Sequence, residues 1–195
     1  MDLTVFFDWE FAYFFFYIVT VLWIAEFIIF PSKQSDADYE ERKTFKLILS
    51  SVLFTVISTI ILTAFSIALV TDGLASPLRI IGMIAYAIGI ILRYVSTITL
   101  GRYFTRDVQV SQQQELIAHG PYRYLRHPLY LGLFLLIIGV PLFFGNWLIL
   151  LVAGGIAFVI LNTRMRIEEA NMERVLGDKY RAWKKQRYRF IPFIY

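Results

Sequence analysis

The second half of the chain contains two apolar stretches, LYLGLFLLIIGVPLFF at residues 129–144 and WLILLVAGGIAFVILN at residues 147–162, joined only by Gly145 and Asn146. Each stretch is apolar enough to enter a bilayer, although both are shorter than the roughly 20 residues of an upright helical crossing. Glycine and asparagine favour a tight turn, and Pro141 is expected to kink the first helix. The two stretches therefore predict a membrane-embedded helical hairpin.

Three further apolar runs precede this hairpin, at residues 9–30, 47–70 and 78–100. Hydrophobic residues make up 58% of the 195-residue chain and charged residues 17%, whereas roughly a quarter of a typical soluble domain is charged. The sequence thus predicts an all-α, polytopic membrane bundle with about five transmembrane helices. Because the chain has no cysteine, disulfide frameworks, thiolate nucleophiles and zinc–cysteine sites are excluded. We expect no metal site.

The distribution of basic residues predicts the orientation of the bundle. Three segments, 31–46, 101–127 and 163–195, contain 17 of the 19 lysines and arginines, and the positive-inside rule places such segments in the cytoplasm. An odd number of crossings then places the N-terminus on the opposite side. The first ten residues, MDLTVFFDWE, contain acids but no lysine or arginine, so we do not expect a cleaved signal peptide.

The C-terminal segment combines basic residues with the aromatic residues Trp183, Tyr188 and Phe190. We interpret this combination as a surface for anionic lipid head groups, each basic residue contributing about 1 kcal/mol of attraction. Nucleic acid is the less favoured partner because the sequence contains no recognisable nucleic-acid-binding module. The basic residues are Lys179, Arg181, Lys184, Lys185, Arg187 and Arg189.

Polar residues also converge at the start of the predicted hairpin, in the tripeptide Arg126-His127-Pro128. Proline is favoured at the first helical position, so His127 is expected at the threshold of the fourth helix. The free backbone N–H groups of a helix N-terminus form a ready site for a carboxylate. The alternative is that Arg126 and His127 only hold the helix among lipid head groups. The tripeptide alone does not decide between the two interpretations.

A second polar group follows the fifth apolar run. If that helix continues beyond the lipid, Arg164 and Glu168 lie four residues apart on one face, beside Glu169. The alternative is a surface ion pair worth about 0.3–0.5 kcal/mol. Gly177 is predicted to end this helix, and Asp178 to cap a last short helix. The chain would then fold back over the mouth of the bundle.

Two charges lie within the predicted spans. Glu26 is near one end of the first span, and Arg93 is at a similar depth in the third. We favour a structural ion pair, or an arginine that extends to the interface, over a role in substrate binding.

The joint order of these motifs resembles a known family. The chain contains GPYRYLRHPLYLG at 120–132, then the hairpin, then Arg-x-x-x-Glu-Glu from Arg164, and finally LGDKY at 176–180. This order resembles the isoprenylcysteine carboxyl methyltransferase family of integral membrane methyltransferases, over roughly residues 93–195. The blocks in combination are far more specific than any one of them. The first two spans show no such resemblance, but the length of the chain leaves room for one unit, so we expect a single membrane domain, 1–195, with an N-terminal two-helix part at 1–77 and a catalytic core at 78–195.

The resemblance also implies the chemistry. The family uses S-adenosylmethionine, which becomes S-adenosylhomocysteine, and its acceptor is a membrane-embedded isoprenylcysteine carboxylate. The resemblance places the cytoplasmic cofactor site between the loop before the fourth span and the C-terminal helices. Arg164 matches an arginine that contacts the substrate. The cofactor-binding matches are Gln109, Gln114, Glu115, Leu116, Ile117, Tyr122, His127, Pro128, Leu129, Tyr130, Glu168 and Glu169.

One position departs from the family. Gln114 stands where the family usually has histidine, and since glutamine takes up no proton, its role is limited to binding. We expect His127 and the helix end at Pro128 to receive the methionyl carboxylate, and Glu168 or Glu169 to engage the ribose or the amino group. Tyr122 and Tyr130 are expected to form apolar walls.

Two other functions stay open at this point. Membrane enzymes that methylate phospholipid amines share the His-Pro and Glu-Glu elements, and a non-catalytic lipid-binding protein could retain the same fold. An arginine at the site favours a carboxylate acceptor, because it attracts an acid and repels a protonated amine. A carboxylate is also ionised near neutral pH and therefore needs no base. The sequence identifies neither the physiological acceptor nor the oligomeric state.

Overall fold

A computed structural model describes residues 9–29, 39–101 and 115–191 of the chain. Apart from two isolated bridges, the regular structure of these residues is helical. A short 3-10 turn, Gly120–Arg123, precedes the fourth α-helix. The five α-helices are α1 (Trp9–Ile29), α2 (Tyr39–Ala64), α3 (Asp72–Leu100), α4 (Pro128–Phe144) and α5 (Trp147–Lys184).

Long apolar stretches lie in three of these helices. Lys46–Ala64, Leu74–Leu100 and Trp147–Lys184 are each long and apolar enough to cross a membrane. Shorter apolar stretches occur at Tyr13–Glu26 in α1 and Pro128–Phe144 in α4. Large aliphatic side chains are exposed along the outer faces of the helices, as expected for surfaces that contact lipid. The predicted all-α membrane bundle is confirmed, and the count of five complete crossings stays a prediction.

The predicted hairpin between α4 and α5 is confirmed. Helix α4 ends at Phe144, and Gly145 adopts a left-handed conformation with φ of 69°. Asn146 then caps α5, because its side-chain Oδ1 accepts a hydrogen bond from the backbone N–H of Ile149 at 3.1 Å. A glycine and a capping asparagine thus make a reversal in two residues.

The boundary between α2 and α3 differs from the prediction. The second apolar run continues to residue 70, but α2 ends at Ala64, while α3 begins at Asp72. The connecting residues bond to the hairpin corner: the Asn146 side chain donates to the Ile67 carbonyl at 3.0 Å, and Val70 N–H donates to the Gly145 carbonyl at 3.0 Å. These contacts between distant residues outweigh the local preference of an apolar run for helix.

Helices α3 and α4 pack backbone against backbone. A Cβ atom added at Gly89 would lie 2.8 Å from the carbonyl oxygen of Gly132, and one added at Gly82 would lie 2.9 Å from that of Gly139. Small residues allow such close approach of helices in lipid.

A buried ion pair connects α1 to α3. Arg93 donates two hydrogen bonds to the Glu26 carboxylate, from Nε at 2.7 Å and from Nη2 at 2.5 Å. Its Nη1 also lies 3.4 Å from the Leu129 carbonyl oxygen at the start of α4. Glu26 is 1% exposed. The favoured interpretation of these two charges as a structural ion pair is confirmed.

We expect Glu26→Arg and Arg93→Glu each to lower the free energy of unfolding by about 3–5 kcal/mol, because each leaves two like charges in a low-dielectric site. The double reversal should recover a large part of that loss. Thermal unfolding in detergent measures both effects. Arg166→Glu, on an exposed face of α5, serves as the control. A double variant no more stable than the single variants would contradict a structural role for the pair.

Candidate functional site

The site begins at the N-terminus of α4. His127 precedes the helix as its N-cap residue, and Pro128 occupies the first helical position. The backbone N–H groups of Tyr130 and Leu131 donate to the His127 carbonyl at 3.2 and 3.1 Å. The proline therefore fixes where the helix starts, and the helix start fixes the position of the imidazole.

Helix α5 supplies the opposite wall. It continues past the predicted end of its span at residue 162 and brings Arg164, Glu168 and Glu169 to the same end of the bundle as His127. His127 Nδ1 lies 3.5 Å from a Glu168 oxygen, and Nε2 lies 3.1 Å from a Glu169 oxygen. The predicted proximity of the α4 threshold and the α5 carboxylates is confirmed.

The Glu169 carboxylate is the point where Arg126, His127 and Arg189 meet. Its Oε1 accepts from Arg126 Nη1 at 2.9 Å and from Arg189 Nε at 3.2 Å, in addition to its contact with His127. Arg189 also donates to the Asn162 side chain at 3.1 Å. These contacts join the segment before α4, helix α5 and the C-terminal segment around one carboxylate.

Glu168 has a different set of partners. The Tyr130 hydroxyl donates to its carboxylate, and the same hydroxyl accepts a hydrogen bond from Arg164 Nε at 2.9 Å. Arg164 Nε itself lies 3.6 Å from Glu168, which confirms the predicted pair four residues apart. Tyr130 was expected as an apolar wall. Its hydroxyl also forms a polar link between Arg164 and the Glu168 carboxylate.

The C-terminal segment folds back over this cluster. Gly177 interrupts α5 with non-helical angles (φ 52°, ψ −128°), and glycine adopts such a positive φ without steric cost. Arg126 N–H then donates to the Tyr188 carbonyl at 2.8 Å, and Tyr188 N–H donates to the Tyr124 carbonyl at 2.9 Å. The predicted closure over the mouth is confirmed, whereas the capping role of Asp178 stays a prediction.

Side chains of the C-terminal segment also hold the loop before α4. Trp183 Nε1 donates to the Ile117 carbonyl at 3.0 Å, and Arg187 Nε donates to the Tyr122 carbonyl at 2.8 Å. The Arg187 guanidinium lies over the Trp183 ring, 4.5 Å from its centroid. The loop and the C-terminus therefore form one unit around the site.

Electrostatics distinguish the two ionisable side chains at the loop end of the site. Burial by itself lowers the pKa of His127, but hydrogen bonds to Glu168 and Glu169 and the charges of these carboxylates outweigh it, and the pKa is raised. Burial raises the pKa of the Tyr122 phenol, and the Glu168 charge adds to the effect. Tyr122 is therefore a neutral phenol, while the imidazolium form of His127 is favoured beside its two acids.

We expect the pKa of His127 to lie above the ordinary value of about 6.5. A raised folded-state pKa means that the imidazolium stabilises the fold fully below about pH 6.5, and that this contribution is lost as the pH rises through the raised value. The chain has 2 histidines, so His119→Gln leaves His127 as the only imidazole for an NMR titration. Adding Glu169→Gln should lower the measured pKa. A His127 pKa at or below 6.5 would contradict this electrostatic interpretation.

The other residues matched to the family have varied positions. Pro128 is buried at the head of α4, and the Leu129 carbonyl lies 3.4 Å from Arg93 Nη1. Glu115 is exposed and Leu116 is half-buried. Gln109 and Gln114 lie outside the described residues. Within the described ranges, no group of three or more His, Cys, Asp and Glu side chains could hold a metal ion.

One interpretation of the C-terminus was wrong for part of the segment. Arg189 is 8% exposed and Phe190 is fully buried, so neither faces lipid head groups. Arg187 hydrogen-bonds to backbone carbonyls instead. The run of basic residues did not distinguish lipid contact from pairing with Glu169, because the charge pattern of the sequence is the same in both cases. Lys179 and Arg181 remain exposed, as a lipid-facing surface requires.

Sequence reasoning also missed two members of the site. Arg126 was considered but not assigned to it, although its position directly before His127 was a usable signal. Its Nε is buried without a hydrogen-bond partner, so the cluster retains an unused donor. Thr44 on α2 accepts a hydrogen bond from Arg164 Nη1 at 2.9 Å. No local pattern distinguishes Thr44 from the other threonines of the chain.

Comparisons with known proteins point to one family. A family model described as the isoprenylcysteine carboxyl methyltransferase (ICMT) family matches residues 80–174. A probable protein-S-isoprenylcysteine O-methyltransferase of Oryza sativa subsp. indica is 28% identical over 116 residues, which are 58% of this chain and 61% of that protein. The protein-S-isoprenylcysteine O-methyltransferase of Xenopus laevis is 31% identical over 119 residues, or 60% of this chain and 41% of that protein.

A solved structure shares the fold. It is described as the eukaryotic intramembrane Ras methyltransferase ICMT, and it matches with a TM-score of 0.63 and 23% sequence identity, covering 91% of this chain and 63% of the solved chain. The matches thus span about three fifths of the rice protein's length and of the solved chain. The apolar helices and the fold match are those of an integral membrane protein. The family match includes α4 and most of α5, so the helices that carry the site are similar to those of the isoprenylcysteine carboxyl methyltransferase family.

Proposed function

We propose that the chain is an S-adenosylmethionine-dependent carboxyl O-methyltransferase that acts on a lipophilic, membrane-embedded acceptor, the C-terminal isoprenylcysteine carboxylate or an analogue of it. The observation that carries this proposal is the position of Arg164. It is 3% exposed, directly follows the apolar part of α5, and contacts the Glu168 and Tyr130 that line the polar mouth. A buried cation there attracts an acid and repels an ammonium group.

The residues at the mouth fit the proposed cofactor. Arg126 Nε is a buried donor without a partner, and it lies next to the N-terminus of α4, where backbone N–H groups favour an anion. These groups would receive the methionyl carboxylate together with His127. Glu168 would engage the ribose hydroxyls or the amino group. When bound, S-adenosylmethionine supplies a methyl group activated by its sulfonium.

Further parts of the cofactor site remain proposals from the family match. Tyr122 would form a wall of the pocket with its buried ring, and Glu169 would hold Arg126, His127 and Arg189 in place. Gln109, Gln114 and residues 115–117 would complete the site from the preceding loop. The catalytic end and the C-terminus would face the cytoplasm, and the N-terminus the opposite side, as the positive-inside rule requires.

The chemistry favours a carboxylate over an amine. A carboxylate is already ionised near pH 7, so the main tasks of the protein are to hold it in line and to exclude water. Arg164 can orient it through a planar, paired set of hydrogen bonds. The hydrocarbon of the acceptor would stay in lipid between the helices. Each methylene removed from water contributes about 0.8 kcal/mol of favourable transfer free energy.

Radiolabelled cofactor tests this function directly. Purified protein is incubated with methyl-labelled S-adenosylmethionine and either an S-prenylcysteine analogue or phosphatidylethanolamine. We expect label in the prenylcysteine that is released by mild base, as an ester requires. Base-stable label in the phospholipid would indicate an amine N-methyltransferase instead, and no transfer to either would favour a non-catalytic lipid-binding protein.

A further inference from the structure

Helix α2 contacts the site through the side chain of Thr44. Thr44 is 5% exposed, and its Oγ1 accepts a hydrogen bond from Arg164 Nη1 at 2.9 Å. The two residues are 120 positions apart in the chain, and Arg164 is itself 3% exposed. Thr44 also lies outside residues 80–174, where the family model matches. The contact therefore brings an element from outside the matched segment to the arginine.

The contact fixes the plane of the guanidinium group. Arg164 donates from Nε to the Tyr130 hydroxyl on α4 and from Nη1 to the Thr44 hydroxyl on α2, each at 2.9 Å. Two bonds at different nitrogens, made to different helices, prevent rotation of a planar, rigid group. Both of these partners are neutral hydroxyls, so these two bonds orient the guanidinium while Glu168, 3.6 Å from Nε, supplies a negative charge beside it.

We propose that Thr44 is a positioning residue that aims the Arg164 guanidinium at the methyl acceptor's carboxylate. This inference rests on the proposed function of Arg164. Paired recognition of a carboxylate depends on the plane of the guanidinium, so a loss of the Thr44 bond affects acceptor binding more than cofactor binding. Helix α2 thereby belongs to the acceptor site and is more than a lipid-facing support.

Other hydroxyls on α2 offer a comparison. Thr55 Oγ1 donates to the Ser51 carbonyl of its own helix at 2.7 Å, while the Thr59 hydroxyl is fully buried without a partner. Thr59→Val therefore removes a buried hydroxyl from the same helix without breaking a bond to the site. It is the matched control for Thr44→Val.

The experiment compares Thr44→Val, Thr44→Ser and Thr59→Val with the unaltered chain. For Thr44→Val we expect the KM for an S-prenylcysteine acid to rise about tenfold, as the loss of one hydrogen bond to a charged group predicts. The affinity for S-adenosylhomocysteine should be unchanged, whereas the melting temperature should fall because Arg164 Nη1 loses a buried hydrogen bond. Thr44→Ser and Thr59→Val should both behave as the unaltered chain does. Thr44→Ala replaces the valine variant if the latter does not fold.

A binding measurement separates this inference from the proposed function. Affinities are measured for the prenylcysteine acid and for its neutral amide. The unaltered chain should bind the acid more tightly than the amide, and the ratio of the two affinities should be smaller in Thr44→Val. An unchanged preference in Thr44→Val overturns the inference, and so does the absence of any preference in the unaltered chain. Loss of the preference supports the inference even if no methyl transfer is detected, in which case the proposed function alone fails.

Discussion

Replacing Glu168 with alanine is expected to abolish measurable cofactor binding. Its carboxylate is the group to which Tyr130 donates, and His127 and Arg164 lie within 3.5 and 3.6 Å of it. The substitution removes the acid proposed to hold the cofactor and takes a negative charge away from the buried Arg164. We expect the affinity for S-adenosylhomocysteine, measured by calorimetry, to fall on the order of 100-fold or more, as hydrogen bonds to charged groups predict.

Glu173→Ala is the control for this prediction. Glu173 lies farther along α5 and pairs with Lys184 near the surface, so its loss should leave the affinity within about twofold, in keeping with the small contribution of exposed ion pairs. Glu168→Gln tests whether the negative charge or only the shape of the side chain matters. Undiminished affinity in both Glu168 variants would refute the assignment of Glu168 to the cofactor site.

Arg164→Lys is expected to give the largest loss of turnover with the cofactor still bound. Lysine retains the positive charge beside Glu168 but cannot make the planar, paired hydrogen bonds of a guanidinium. Without them the acceptor carboxylate is poorly aligned, and misalignment of reacting groups costs on the order of 100-fold or more in rate. We expect kcat/KM for a prenylcysteine acceptor to fall by at least that factor, with the affinity for S-adenosylhomocysteine kept within a few-fold.

The matched control is Arg166→Lys, because Arg166 is exposed on another face of α5. It should turn over acceptor at the normal rate. If Arg164→Lys retained normal turnover, orientation by the guanidinium would not be part of the reaction. If it lost cofactor affinity as well, Arg164 would belong to the cofactor site.

Local pattern predicted most of the fold. The apolar runs, the turn at Gly145 and Asn146, and the helix break at Gly177 each follow from the properties of a few neighbouring residues. The early end of α2 was not predictable in this way. It depends on hydrogen bonds between residues 67–70 and a hairpin corner more than 70 positions away.

The site was predictable for a different reason. His127, Tyr130, Arg164 and Glu168 match a family order of motifs, and the spacing of Arg164 and Glu168 places them on one helix face. Nothing local identified Thr44, which is one of many threonines, and the position of Arg189 beside Glu169 depends on the fold-back after Gly177. Such residues are recognised by their burial and by their hydrogen-bond partners. Neither can be read from a short stretch of sequence.

The contact of α3 and α4 through glycines has a consequence for engineering the acceptor preference of this chain. Substitutions at Gly82 or Gly89 would place atoms inside the van der Waals radius of the opposite backbone, so a mutant library that randomises them would consist mostly of misassembled protein. A library directed at Ile48 and Val52 on α2 changes contacts with the side chains of the apolar core, which can repack. Selection for new acceptors should therefore yield variants in α2, with the α3–α4 pair retained as an invariant frame.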